Sequence, residues 1–86
     1  MTENEQVARA ALSHLYEPGL VATLRSDSPL PGFRSADAIA VSVAVAAEGM
    51  ARGREVVLSD EQMVSIRTLG DLIVEIAAHS TRDADE

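Results

Sequence analysis

The sequence predicts an all-α domain, on three observations. Thr2-x-x-Glu5, Ser59-x-x-Gln62 and Thr68-x-x-Asp71 have the form of capping boxes, which satisfy the first unpaired amides of a helix. Apolar residues follow each of them at three- and four-residue spacing. The chain of 86 residues is 47% apolar and has no cysteine, so one small core must hold it without a disulfide or a thiolate metal site.

The elements follow in order. A first helix is expected from about residue 3 to 16, with Val7, Ala8, Ala11, Leu12 and Leu15 on one face, and Glu17-Pro18-Gly19 ends it. The apolar run Leu20 to Leu24 reads as one helical turn or as extended chain. Ser26-Asp27-Ser28-Pro29-Leu30-Pro31-Gly32 is a loop. A helix then opens near Ser35, with serine as N-cap and Asp37 in the first turn, and runs to about Met50. Ile39, Val41, Val43 and Val45 alternate with small residues as a strand would. The interleaved alanines and the ten-residue length favour helix. Gly49 and Gly53 flank a loop with Arg52 and Arg54. A short helix carrying Met63, Val64 and Ile66 begins after Ser59. A last helix after Thr68 places Leu69, Leu72, Ile73 and Ile76 on one face. The helical domain is expected over residues 1–79, with a disordered acidic tail at 80–86. Leu12, Leu15, Ile39, Val43, Ile66, Leu72 and Ile76 are the expected core.

Charge narrows the partners. Asp and Glu number 14 against 7 basic residues, all arginine, for a net charge of -7. That balance disfavours phosphate backbones and anionic lipid, so neither nucleic acid nor membrane is expected, and a basic groove on a partner protein is. The acidic start Met1-Thr2-Glu3-Asn4-Glu5 is the reverse of a signal peptide's, and the longest apolar stretch, Ala38 to Ala47, is too short to span a bilayer. A cytoplasmic monomer is the expectation.

Little chemistry is written in the side chains. His14 and His79 lie in different helices with no carboxylate at ligand spacing, so no metal site is expected. No G-x-S-x-G or phosphate-binding glycine loop occurs. The residue that stands out is Ser35, in Gly32-Phe33-Arg34-Ser35-Ala36-Asp37. A phosphate ester there would lie near free amides and the positive end of a helix dipole. Serine is also a common N-cap, and most N-cap serines carry nothing.

The order of these motifs resembles that of acyl carrier proteins. Leu58-Ser59-Asp60-Glu61-Gln62 followed by Ile66-Arg67-Thr68-Leu69-Gly70-Asp71-Leu72-Ile73 is similar to the family's short third helix and the opening of its last helix. Asp27-Ser28-Pro29-Leu30 resembles the acidic loop before the attachment site, and Gly32 to Asp37 falls where the family writes Gly-x-Asp-Ser-Leu-Asp. Arg34 stands where the family has Asp, and Ala36 where it has Leu. The resemblance covers about residues 3 to 78.

It implies a four-helix bundle of three longer helices and one short one. It implies 4′-phosphopantetheine on Ser35, carrying acyl intermediates as thioesters for polyketide, fatty-acid or related biosynthesis. The protein would then be no enzyme itself. A phosphopantetheinyl transferase and acyl-transferring or condensing enzymes would act on it, reading Arg34, Asp37 and Glu48. Ser28, in its own Asp-Ser pair, is the alternative attachment point. The rival expectation is a degenerate carrier-like module without the arm, binding partners non-covalently through the apolar helix that starts at Ser35.

Overall fold

The hydroxyl caps expected at Thr2, Ser59 and Thr68 are made as hydrogen bonds in the computed structural model, which describes residues 2–82. Thr2 Oγ1 accepts the Glu5 amide at 3.2 Å and opens α1 (Glu3–Leu12). Beyond Leu12 the chain tightens into a turn, with the His14 and Leu15 amides bonded three residues back. The Ser13 hydroxyl donates to Arg9 O at 2.9 Å and competes for the helix's own carbonyls, which shortens the expected helix.

Pro18 opens a helix here. Its missing N–H costs nothing at a first helical position, and α2 (Pro18–Thr23) follows it. Arg9 closes that helix, donating to Val21 O at 2.7 Å and Leu24 O at 2.9 Å.

The longest element is α3 (Ser35–Met50), so the strand alternative does not hold. Its buried face is Ala38, Val41, Ala44, Val45 and Gly49. Ile39 and Val43, expected in the core, are 57% and 66% exposed. Both faces of this helix are apolar, and the one with smaller side chains packs inward. Leu12, Ile66, Leu72 and Ile76 are buried as expected, and Leu15 packs at the core's edge.

The turn after α3 reverses at Gly53, whose φ of 72° is a left-handed conformation suited to glycine. It leads into β1 (Arg54–Val56), which pairs antiparallel with β2 (Ser80–Arg82), Val56 facing Ser80. Between them lie α4 (Asp60–Val64) and α5 (Leu69–Ala78). The first three residues of the segment expected as a tail, Ser80–Arg82, thus form the second strand. That segment is held by a backbone ladder and needs no apolar side chain of its own. Residues 83–86 lie outside the described residues.

Arg54 explains why the ribbon sits where it does. Its side chain is buried, ion-paired to Glu3 at 3.2 Å, and donates to Asn4 Oδ1 at 2.5 Å and to Ser80 Oγ. It ties the start of α1 to both strands, although its Nε is buried without a hydrogen-bond partner among the described residues. Around this, α1 packs against α3 and α5, and α4 against α3. The result is a mostly helical globule, with five helices and one short ribbon among the described residues. Among those residues no helix is long and apolar enough to cross a membrane.

Candidate functional site at the start of α3

The loop that delivers Ser35 is pinned at several points. Gly70 N donates to Ser26 O at 2.8 Å, Leu30 N to Arg67 O at 3.0 Å, and Pro29 bridges to Thr68. Leu24 and Leu30 are buried beneath. Tyr16 Oη donates to Pro31 O at 2.6 Å. Partial burial and the nearby Asp37 carboxylate hold this phenol above the ordinary tyrosine value, so it remains a protonated donor. Gly32, at φ 62°, turns the chain toward the helix.

Arg34 is the N-cap in extended conformation, and Ser35 is already the first helical residue, which corrects the expected serine cap. The cap is closed from the other side, because the Asp37 carboxylate accepts the Arg34 amide at 3.0 Å. Serine is thereby released from capping duty. Its hydroxyl is exposed and has no hydrogen-bond partner among the described residues.

Two shallow clefts meet at Ser35, where α3 packs on α4. One of about 180 Å³ is lined by Phe33, Arg34, Ile66 and Arg67 among others. The other, of about 130 Å³, is nearly all apolar, with Ala38, Ile39, Met63 and Val64 around it and Asp60 at its side. Ser59 and Gln62 hold α4 in place through both halves of their capping box, at 2.7 and 3.3 Å. Thr68 and Asp71 do the same for α5, at 3.2 and 3.1 Å.

The other expected site residues are placed differently. Asp37 is half-buried and occupied by the cap. Glu48 lies at the far end of α3, about 20 Å along the axis from Ser35 at 1.5 Å per residue. Its carboxylate bridges His14 Nε2 and Arg52 Nη1, each at 3.0 Å. Those two hydrogen bonds hold the carboxyl below its ordinary value of 4.5.

A group lowered on folding stabilises the protein above its unfolded pKa, and that contribution fades as pH falls through the folded value. Glu48→Gln is therefore expected to cost about 0.5–1 kcal/mol at neutral pH, as partly exposed pairs do. The difference from the parent should shrink in acid below about pH 4.5, measured by urea unfolding across that range. A difference that stays constant with pH would show that the carboxylate charge does not hold this end of the helix.

Ser28 is also accounted for, since its Oγ accepts the Arg25 amide at 3.0 Å within the loop. Among the described residues, no three His, Cys, Asp or Glu side chains come together as a metal site. Arg67 and Met63 line the clefts beside Ser35, and sequence reading did not select them as site residues. Their only signal was adjacency to the caps of α4 and α5.

Comparison with protein-family models, curated proteins and solved structures found no match to this chain.

Proposed function

We propose that the protein is an acyl carrier of the four-helix carrier type, with α1, α3, α4 and α5 as its bundle and Ser35 as its attachment point. The observation that carries this reading is the Ser35 hydroxyl. It is exposed, free of intramolecular hydrogen bonds among the described residues, and fixed at the first turn of the longest helix. A hydroxyl that is to be esterified by another protein must be reachable and uncommitted, and Ser35 is both, whereas Ser28 is engaged within its loop.

The residues around it suit a phosphopantetheine ester. The first amides of α3 and the Arg34 guanidinium supply positive charge near the ester oxygen. The apolar cleft beside Ile39 and Val64 offers a surface along which a flexible arm can lie. In the loading step the Ser35 Oγ attacks the coenzyme A phosphorus nearest the pantetheine. A new O–P bond forms, and the pyrophosphate bond to the nucleotide breaks, releasing 3′,5′-adenosine bisphosphate. The hydroxyl proton passes to a base on the transferase. The attached group then supplies a thiol that holds an acyl chain as a thioester. This chain contributes the hydroxyl, its rigid placement and a docking surface.

A second reading rests on α3 itself. Ile39, Val43 and Met50 are exposed in a line along it, at 57, 66 and 73%. Such a stripe on a charged protein suits non-covalent docking by a module without an arm.

Intact-mass measurement separates the two. Incubation with coenzyme A and a broad-specificity phosphopantetheinyl transferase is expected to add one phosphopantetheine, and Ser35→Ala to abolish the gain. Absence of any gain, with transferase active on a control carrier, favours the armless module.

A further inference from the structure

Six of the seven arginines have described side chains, and these divide into two groups. Arg9, Arg52 and Arg54 are each ion-paired to a glutamate. Arg25, Arg34 and Arg67 have neither an ion pair nor a side-chain hydrogen bond among the described residues. Arg34, Ser35 and Arg67 line one and the same cleft. On a chain of net charge -7, two guanidiniums without a carboxylate partner thus share one cleft.

We propose that this cleft is a phosphate site, in which Arg34 and Arg67 hold the phosphoryl group of an ester on Ser35 against the protein surface. The identity of the occupant rests on the carrier reading, but the site itself rests on the two unpaired guanidiniums and the cleft. A guanidinium presents paired N–H donors that match phosphate oxygens. Two neighbouring carboxylates are engaged by backbone amides. Asp37 accepts the Arg34 amide, and Asp71 accepts the amides of Arg67 and Thr68. Asp60 lines the neighbouring apolar cleft.

Two exposed arginines bind a free anion only weakly. A phosphate tethered to Ser35 faces them at an effective concentration in the millimolar range or above, so weak contacts are enough to bias where the arm lies. Arg34, at the position where the carrier resemblance puts an aspartate, thereby acquires a role in positioning the ester.

The test uses the full unmodified chain, isotopically labelled, with amide chemical shifts as readout. Titration with 4′-phosphopantetheine is expected to shift the amides from Ser35 to Ala38 and that of Arg67. Pantetheine, which lacks the phosphate, should leave them in place. Arg34→Ala and Arg67→Ala should each weaken binding about threefold to fivefold, the range for single exposed charges, while Arg25→Ala should leave it unchanged.

Equal shifts with pantetheine, no shifts at millimolar phosphopantetheine, or an Arg25→Ala effect as large as the others would each overturn the proposal. The outcomes are independent of loading. Phosphate-dependent shifts on a chain that no transferase modifies would retain the site and remove the carrier reading. Loading without such shifts would do the reverse.

Discussion

Leu72→Ala is expected to lower the unfolding free energy by about 3 kcal/mol, within the 2–5 kcal/mol range for truncating a buried leucine. Leu72 is fully buried on α5 in the core shared with α1. Removing its branched end leaves a cavity that the surrounding helices can only partly close. A domain this small has a stability near the low end of about 5–15 kcal/mol, so this single change removes much of it. Chemical unfolding followed by circular dichroism reads the loss. Ile39→Ala in the same assay is expected to cost less than about 1 kcal/mol, because its side chain is mostly in water. If Ile39→Ala were as costly as Leu72→Ala, α3 would have to present its other face to the core.

Gly70→Ala is the second substitution with a large expected effect. A Cβ at position 70 would lie 2.7 Å from the backbone oxygen of Ser26. That oxygen accepts the Gly70 amide, so relieving the clash means breaking the bond that pins the loop to α5. Alanine recovers up to about 1 kcal/mol of helix propensity, which offsets only part of the cost. A net loss of about 2 kcal/mol is expected, typical of overpacking against backbone. Faster proteolysis in the loop before Ser35 should accompany it. Gly19→Ala, in α2 with open space around it, is the control and should be neutral or slightly stabilising. Equal stability of the two variants would mean that the loop is not held at Ser26.

These two substitutions mark what was legible in the sequence. Capping is local, so Ser59 with Gln62 and Thr68 with Asp71 announced their helices through three-residue spacings that the structure reproduces as hydrogen bonds. The span of α3 was legible from its interleaved alanines and its length, although its cap is Arg34 and not the expected Ser35. Its inward face was not, because Ala38, Val41 and Val45 compete with Ile39, Val43 and Met50, and helical periodicity has no contrast to read.

The ribbon was hidden for a different reason. Arg54, Glu55 and Val56 alternate inward and outward, but the first inward residue is an arginine, and its partners Glu3 and Ser80 are remote in sequence. At the site, the placement of Ser35 at the start of a helix was legible. The release of its hydroxyl by Asp37 and the approach of Arg67 depend on how α3, α4 and the preceding loop pack, which no local pattern encodes.

On the proposed carrier reading, the arm is attached to the oxygen of Ser35. Tandem mass spectrometry of the transferase-treated chain locates the adduct directly. The predicted result is phosphopantetheine on the peptide carrying Ser35 and on no other serine. An adduct on Ser28, or an intact chain after exhaustive treatment, would contradict it.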